Sequence, residues 1–565
     1  MGERLGALVF AFMLVVIPPS TSSATDETWV QRFDAANLND MPTAMAVDDS
    51  GHVYVTGASN FDIGLGLDVC TIKYANDGPQ RWCARYNGPG DNTDEGHDIA
   101  IDHAGDVVVA LSSIGSRPGS DANLWDAALA KYDRYGVEQW VSRFPGTATD
   151  TIDYHVLGLF VGVDGVDNVY LAGTHEDIVN SYDFLLLKYD PDGVLLWART
   201  FDGSAHGEDR PTGLAVDDAG HAYLTGRSRC PGTGLDYCTL CYGPSGALLW
   251  SDTYNGTLMP VEDDFDSATD IVLDGAGNVV VTGGSSSVAT AYDICTIKYD
   301  PDGDRLWVRR YDGPSDDEII SYFTDSGLAL TVDALDNVIV TGTVAHDENG
   351  VDYMTLKYDP DGALQWTDHR VSPGNDYAHA VATDPQLNVY VSGQRTDAGE
   401  YIFCTRKLNT HGMFVWEETY NGPGLGTDNP VAVLVHENAV FVTGGSARTM
   451  IDLDYCTIRY DQDPPTAVLR IAIPAAQLLP PSPNPFNPAT EIRFSLDRPA
   501  EVALDVYAAD GRHVRSLFSG AAPAGDSAVV WRGRDDAGRV VPAGPYLLKL
   551  RVGGAFASAK VVLLK

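Results

Sequence analysis

The 565-residue sequence is poor in positive charge. It has 37 lysines and arginines against 79 aspartates and glutamates, which gives a formal net charge of −42. Phosphate binding requires clustered basic side chains, so this composition argues against nucleic acid and anionic lipid as partners. An acidic surface attracts divalent cations, so calcium is the one cofactor that the composition leaves open.

Long apolar runs are absent after the first 17 residues. The single run, residues 7–17, ends at Pro18 and Pro19 and is too short to span a bilayer, which needs about 20 residues. It is typical of a secretory signal, and the small residues Ser22–Ala24 provide a cleavage site. We therefore expect residues 1–24 to be a signal peptide and the mature chain to lack a transmembrane segment.

The short motifs that mark common enzyme classes are also missing. The sequence has no Gly-x-Ser-x-Gly elbow, no His-Glu-x-x-His zinc motif and no phosphate-binding glycine loop. Its 13 histidines share no common position. We therefore expect no enzymatic activity. Two alternatives stay open: an enzyme (a quinone-dependent dehydrogenase or a polysaccharide-degrading enzyme) and a purely structural envelope protein.

A sustained helical period is missing too, and an internal repeat takes its place. Each unit carries a β-rich run that usually ends in Gly, such as Val53–Gly57, and a run that begins at Asp and usually ends at Tyr, such as Asp293–Tyr299. A tryptophan then follows a turn such as Asp300–Gly303. The eight tryptophans at this position of the repeat are Trp29, Trp82, Trp140, Trp197, Trp250, Trp307, Trp366 and Trp416.

Each unit is predicted to form four strands, here named A to D in chain order. The segment Trp29–Phe33 precedes any A strand, and the last unit, Pro430–Asp461, lacks a D strand. We expect Trp29–Phe33 to complete the last sheet, which leaves no open edge. The sequence thus predicts an all-β fold, with an eight-bladed β-propeller over residues 25–463. A seven-bladed propeller is the alternative.

These ordered motifs resemble the bacterial SBBP family of β-propeller repeats. In that family Asp-Tyr-x-Thr-x-Lys-Tyr, Asp-Gly-x-x-x-Trp and Asn-Val-Tyr-Val-Thr-Gly recur, and the resemblance covers nearly all of the repeat region. It implies a propeller fold and an extracellular setting, and it supplies no agreed catalytic site. We expect a scaffold that binds an unknown extracellular ligand: a glycan, a protein or a cation.

The composition changes near the end of the repeats. Residues 464–488 are rich in Pro and Ala and are predicted to be a linker. Residues 480–565 hold 11 basic and 8 acidic residues, a net charge of +3. Residues 489–565 contain alternating apolar runs separated by turns, which predicts a small Ig-like β-sandwich.

Motifs in this last segment resemble the sorting domain of type IX secretion cargo and the Ig-like module of flagellar hook-capping proteins. The resemblance implies recognition by secretion machinery and a final location that is secreted, or on the outer surface of a double-membrane bacterium. A module for stability or adhesion is the alternative. The matching residues include Pro483, Asn484, Pro485, Phe486, Gly544, Tyr546 and Lys565.

Acidic residues recur just before the A strands. In a propeller the loops from strand D to the next strand A gather on one face around the channel, so these acids predict a ring of negative potential. Such a ring would bind a divalent cation or a cationic ligand, and solubilising loop acids are the alternative. The candidates are Asp94, Glu95, Glu208, Asp209, Asp264, Asp266, Asp316, Asp317 and Glu318.

Eight cysteines are present. Five share one position of strand C, where other repeats hold Leu or Met, which predicts a buried apolar slot. Cys238 and Cys241 are three residues apart on one strand and should point to opposite faces, so they make a poor metal site. A disulfide between Cys230 and Cys241, across the loop from strand B to strand C, is the predicted covalent link.

Overall fold

A computed structural model describes most of the chain, and its contacts divide the chain into two compact units, Met1–Asp463 and Pro464–Lys565. The described residues are 26–36, 38–61, 66–116, 123–144, 159–176, 182–257, 265–287, 291–313, 325–346, 350–372, 374–397, 399–424, 426–449, 452–462, 476–479, 481–496, 500–508, 512–523, 525–552 and 555–564. The predicted signal peptide lies outside them.

Within these residues the chain forms 39 strands and no helix, so none that could cross a membrane. The strands of the first unit make eight four-stranded antiparallel sheets. After β1 (Asp26–Phe33), the first four sheets are β2 (Asp40–Val47), β3 (Val53–Ser59), β4 (Asp68–Tyr74), β5 (Gln80–Tyr86); β6 (Asp94–Ile101), β7 (Val107–Ser116), β8 (Asn123–Tyr132), β9 (Glu138–Phe144); β10 (Phe160–Val163), β11 (Val169–Glu176), β12 (Tyr182–Tyr189), β13 (Leu195–Phe201); and β14 (Asp209–Val216), β15 (Ala222–Cys230), β16 (Gly234–Tyr242), β17 (Leu248–Tyr254).

The remaining four sheets follow the same order. They are β18 (Asp266–Leu273), β19 (Val279–Ser287), β20 (Ala291–Tyr299), β21 (Arg305–Tyr311); β22 (Ser326–Val332), β23 (Val338–His346), β24 (Gly350–Tyr358), β25 (Leu364–Arg370); β26 (Tyr377–Thr383), β27 (Val389–Asp397), β28 (Glu400–Leu408), β29 (Phe414–Tyr420); and β30 (Asn429–His436), β31 (Ala439–Thr449), β32 (Asp452–Asp461) together with β1.

The sheets are arranged as a closed ring. Each A strand contacts the A strand of the next sheet, and β30 contacts β2, which brings the last sheet against the first. Strands B and C are buried between neighbouring sheets, whereas the D strands alternate between exposed and half-buried residues. Eight separate apolar clusters fill the interfaces, each shared by two adjacent sheets. The predicted all-β propeller class is confirmed, and the eight described sheets match the eight repeats.

The predicted closure by the N-terminal strand is also confirmed. β1 pairs antiparallel with β32, with Val30 opposite Ile458 and Phe33 opposite Tyr455. The guanidinium of Arg32 also donates hydrogen bonds to the Asp454 carboxylate at 2.8 Å and to the Ser446 hydroxyl at 2.7 Å. The two ends of the repeat region are therefore held in one sheet, more than 400 residues apart in sequence.

The repeated tryptophan joins adjacent sheets. Trp250 lies on β17 and donates its Nε1–H to the carbonyl of Pro301 at 3.0 Å. Pro301 lies in the C–D turn of the next sheet. Gly303 in that turn has φ of 92°, and a Cβ there would lie 2.6 Å from the Trp250 ring. The same bond forms from Trp29, Trp82, Trp140, Trp197, Trp307 and Trp366.

A buried ion pair recurs inside the sheets. The lysine near the end of strand C contacts the aspartate that follows strand A, at 2.7 Å for Lys298 and Asp274. Both side chains are almost fully buried, so each neutralises a charge that would otherwise be costly there. The equivalent pairs are Lys73–Asp48, Lys131–Asp102, Lys188–Asp164 and Lys357–Asp333.

The second unit contains two antiparallel sheets around a separate apolar core. In chain order its strands are β33 (Ala476–Leu478), β34 (Thr490–Leu496), β35 (Ala500–Ala508), β36 (His513–Ala522), β37 (Gly525–Trp531), β38 (Gly544–Val552) and β39 (Ala555–Leu563). β33, β34 and β37 form one sheet, and β36, β35, β38 and β39 form the other. The predicted Ig-like sandwich is confirmed.

The boundary of this unit differs from the expected one. Strand β33 lies inside the segment predicted to be a linker, residues 464–488, and pairs with β34. Phe486, in the same segment, is buried in the core. The high proline content suggested a linker. Composition cannot show that β33 and Phe486 pack against strands that follow them in sequence.

Candidate functional site

Three of the acids predicted to form a ring begin strands instead of standing in loops. Asp94, Asp209 and Asp266 are the first residues of β6, β14 and β18. All three are fully buried. The sequence predicted these acids in the loops before the A strands, whereas the A strands begin at these acids.

Each of these carboxylates binds backbone amides. Asp266 accepts hydrogen bonds from the N–H of Gly256 at 3.0 Å and of Ser286 at 2.9 Å, so it links the D–A loop to the end of strand B. Asp209 does the same through Gly203 and Arg229. The equivalent residues Asp40, Asp325 and Asp428 also bind one amide on each side. We call these five residues and Asp94, which binds the Gly88 N–H, the clasp aspartates.

Burial changes the acidity of the clasp. It raises the pKa of both Asp40 and Asp94 to about 6, although amide hydrogen bonds oppose the shift. Burial also raises the pKa of Asp209. Carboxylates that are buried and bound to amides hold loops in place, and the predicted alternative of solvated loop acids does not describe them.

The other acidic residues predicted to form the ring lie in different surroundings. Glu208 is ion-paired with Arg227 at 2.8 Å and Arg210 at 3.0 Å, and Glu95 is half-buried. Asp209 lies close to Asp183 and Asp202, with their ligand atoms within 4.8 Å of one another. Asp264, Asp316, Asp317 and Glu318 fall outside the described residues. Calcium binding by the full set stays a prediction.

The predicted disulfide between Cys230 and Cys241 is wrong. In the pairing of β15 with β16, Cys230 lies opposite Gly234 at the loop, whereas Cys241 lies opposite Tyr223 near the other end of the strands. Both cysteines are free thiols. The error arose from counting residues across the loop without knowing that β16 begins at Gly234. The predicted buried slot for Cys70, Cys238, Cys295, Cys404 and Cys456 is confirmed.

The candidate sorting residues form part of the core and edge of the second unit. Phe486 packs on Trp531, with ring centroids 5.3 Å apart, and its N–H donates to the Val562 carbonyl at 2.9 Å. Tyr546 packs on Trp531 from another side, at 5.0 Å. Asn484 bonds the backbone of β39 at both Lys560 and Val562. Lys565 lies outside the described residues.

A cleft opens between the first and second sheets on the side of the A–B and C–D turns. Its volume is about 970 Å³, a size that is ordinary for a ligand site. The A–B turns of both sheets and the C–D turn of the second sheet form its walls. The lining includes Asp49, Ser50, His52, Arg81, His103, Arg134 and Tyr135.

A buried charge network lies at the floor of the cleft. Lys73 contacts Asp48 at 3.5 Å, and its ammonium lies 4.5 Å from the centre of the Tyr54 ring. Burial lowers the pKa of Lys73. Burial alone would raise the pKa of Asp48, but hydrogen bonds from His52 and Tyr54 hold it below its usual range. The floor is thus charged but internally satisfied.

The rim of the cleft departs from the repeat. The C–D turn of the second sheet reads Asp133-Arg-Tyr-Gly136, whereas three other sheets have Asp-Pro-Asp-Gly. Tyr135 is 75% exposed. The Arg134 guanidinium donates to the Ala104 carbonyl at 2.6 Å, and the structure shows no ion pair for it among the residues it describes. Arg134 and Tyr135 were not singled out from the sequence, although a comparison of the C–D turns repeat by repeat would have identified them.

The histidines at the cleft are held by aspartates. The ring of His52 contacts Asp48 at 3.1 Å in the same turn, and His103 contacts Asp167 in the third sheet at 2.9 Å. The hydrogen bond to Asp167 raises the pKa of His103. Both imidazole rings therefore have an aspartate partner within the sheets. The arginines that line the cleft are Arg81 and Arg134.

One known family is similar to part of the second unit. Residues 484–554 match the FlgD Ig-like domain family. This match covers most of the sandwich, from the segment before β34 to the end of β38, and leaves the ring of sheets outside it.

Comparison with individual proteins gives weaker similarities. An uncharacterised WD repeat-containing protein of Acanthamoeba polyphaga mimivirus is 26% identical over 169 residues, which are 26% of this chain and 11% of that protein. The chain thus spans about a tenth of the length of this curated relative.

Three solved structures are similar at low identity. Sqt1 from Chaetomium thermophilum is 10% identical, with a TM-score of 0.46, over 78% of this chain and all of Sqt1. PorZ, a surface component of the type IX secretion system of Porphyromonas gingivalis, is 11% identical, with a TM-score of 0.29, over 94% and 88%. A PL25 ulvan lyase is 10% identical, with a TM-score of 0.40, over 76% and 95%. Similarities this low transfer no activity to this chain.

Proposed function

We propose that this protein is an exported binding scaffold, secreted or held at the cell surface, whose cleft between the first and second sheets binds an acidic saccharide. The observation that carries the proposal is the exposed Arg134-Tyr135 pair, which replaces the structural Pro-Asp of the repeat at the rim of this cleft. A scaffold with eight similar sheets gains specificity where the turn of an individual sheet carries side chains suited to a ligand.

The chemistry of the rim suits a sugar that carries a carboxylate. An arginine without an ion-pair partner offers parallel N–H donors that match a carboxylate. The exposed ring of Tyr135 provides a flat apolar surface against which the C–H face of a sugar can pack. Asp49, which also lines the cleft, can accept hydrogen bonds from sugar hydroxyl groups. A uronic acid unit presents all three features.

A variant that restores the repeat tests this proposal. Arg134→Pro combined with Tyr135→Asp recreates the Asp-Pro-Asp-Gly turn of the third, fifth and sixth sheets, so the fold should be retained. We expect titration calorimetry with uronic acid oligosaccharides to show binding to the natural protein. In the variant we expect affinity at least tenfold weaker, which corresponds to about 1.4 kcal/mol.

The matched control is Asp192→Ala, which changes the same turn position in the third sheet, away from the cleft. Its affinity should equal that of the natural protein. Neutral oligosaccharides should bind weakly to all three proteins. Equal affinity of the double variant and the natural protein would contradict the cleft proposal, and loss of polysaccharide chain length during incubation would instead favour an enzyme.

Export rests on the second unit. Its match to an Ig-like family and its resemblance to sorting domains support a role in which secretion machinery recognises residues 464–565. In a bacterium with type IX secretion, we expect the full chain to reach the cell surface or the medium. A chain without residues 464–565 should remain in the periplasm with its ring of sheets folded, as fractionation and limited proteolysis would show. Surface delivery of the truncated chain would contradict this role.

A further inference from the structure

Two cysteines of the first sheet lie against each other. The Sγ atoms of Cys70 on β4 and Cys83 on β5 are 3.3 Å apart. In the register of these strands, Cys70 lies opposite Arg85 and Cys83 lies opposite Ile72. The two cysteines are therefore diagonal neighbours on the same face of the sheet.

This pair is specific to the first sheet. Cys70 occupies the buried strand C slot that four other sheets also fill with cysteine. The position of Cys83, directly after the strand D tryptophan, holds Val, Ala, Ser, Thr or Glu in the seven other sheets. Cys83 is exposed, so a soluble thiol reagent can reach one member of the pair.

We propose that Cys70 and Cys83 form a disulfide bond that links strands β4 and β5. Closing a bond from a contact of this length needs a small movement of the two side chains, and the shared face already points the sulfurs toward each other. The predicted Cys230–Cys241 link needs a shift of the whole strand register, whereas this link preserves the register.

The reaction is a two-electron oxidation by a disulfide-carrying oxidant, such as glutathione disulfide in a test tube or a thiol oxidoreductase in an export compartment. The Cys83 thiolate attacks the oxidant, forms a mixed disulfide and displaces one thiolate. Cys70 loses its proton and attacks the Cys83 sulfur, which forms the internal S–S bond and releases the second thiolate. The two released thiolates take up the two protons.

The acidities of the two thiols fit this order. The hydrogen bond with Cys70 lowers the pKa of Cys83, the exposed thiol that meets the oxidant first. Burial raises the pKa of Cys70, so it reacts only with a neighbour already in place. The link would anchor β5, which carries the cleft residues Arg81 and Trp82.

The test uses the full chain, incubated with glutathione disulfide, unfolded in denaturant without reductant, and alkylated. We expect six of the eight cysteines to be alkylated and the intact mass to be lower by two hydrogen atoms before alkylation. Peptide mapping should identify one cross-linked peptide that joins Cys70 to Cys83. After reduction all eight should be alkylated, and the melting temperature of the reduced protein should be lower by several degrees.

Two variants make the result specific. Cys83→Ser should have all seven remaining cysteines alkylated and a melting temperature that does not respond to reductant. Cys230→Ser should retain the Cys70–Cys83 cross-link, with five of its seven cysteines alkylated. Eight alkylated cysteines in the oxidised natural protein, or a cross-link that joins any other pair, would overturn the proposal. Neither result depends on export or on ligand binding.

Discussion

At the scale of single residues, the turn glycine and the tryptophan of the repeat each have two structural roles. The turn glycine of the Asp-Pro-Asp-Gly motif permits positive φ and also leaves room for the tryptophan of the preceding sheet. The tryptophan fills an apolar gap and donates to the turn carbonyl. Turn and tryptophan therefore recur together because each sheet docks on the next through this pair.

Two glycines of the fifth sheet distinguish the effect of positive φ from the effect of the contact with tryptophan. Gly303 and Gly277 both have positive φ, but a Cβ on Gly277 meets only Pro301 Cγ, at 4.0 Å. We expect Gly277→Ala to cost about 1 kcal/mol through backbone strain alone. Gly303→Ala should cost about 3 kcal/mol, because the new methyl group also displaces the Trp250 ring. Urea unfolding measures both, and equal losses would show that the tryptophan contact contributes little.

At the scale of elements, β1 decides whether the ring closes. It supplies the outer strand of the eighth sheet and places Trp29 on the turn of the first sheet, where it donates to the Asn76 carbonyl at 3.1 Å. Without β1, the edge of β32 would expose unpaired backbone groups to other chains.

Deletion of residues 26–33 should therefore have a larger effect than its length suggests. We expect a lower melting temperature, a broader transition and self-association through β32, measured by calorimetry and light scattering. Deletion of residues 464–565, which form a separate unit, is the control and should leave the ring monomeric with its transition intact. A monomeric, cooperative protein without β1 would mean that the other 31 strands of the ring close without it.

At the scale of the whole molecule, buried acids in both the clasp and the ion pairs determine how stability depends on pH. Two clasp aspartates, Asp40 and Asp94, have pKa values of about 6. A carboxyl whose pKa is higher in the folded state binds its proton more tightly there, so it stabilises the fold most below its unfolded pKa, and this contribution is lost as pH rises through about 6. The pKa of Asp274 and of Asp333 is instead lowered in the folded state, although burial opposes the shift, because hydrogen bonds from Lys298 and Lys357 stabilise the charged forms.

These opposite shifts predict a maximum of stability in mild acid. Between pH 7 and pH 5, the free energy of unfolding should rise by about 1.3 kcal/mol for each carboxyl whose pKa is raised to about 6. Below pH 4, protonation of residues such as Asp274 and Asp333 should reverse the trend. Thermal melts across this range test the curve. Asp94→Asn should reduce the rise, whereas the exposed Asp77→Asn should leave it unchanged.

The sequence alone determined the repeat, the strand order within each sheet and the closure by Trp29–Phe33. These follow from local chemistry: β-rich runs, turns that need Pro or Gly, and a tryptophan at a constant distance from the turn. The same local signals predicted the buried cysteine slot, because Leu and Met replace Cys there. They also indicated the Ig-like sandwich, although they predicted a linker where β33 lies.

Only the tertiary structure decided which residues meet. Acids before strand A resembled a cation ring in sequence, yet Asp94, Asp209 and Asp266 are buried and bind backbone amides 6 to 20 residues away. Cys230 and Cys241 are close in sequence but separated by strand register, whereas Cys70 and Cys83 are brought into contact by it. Register and burial depend on long-range pairing, which residue spacing along the chain does not specify.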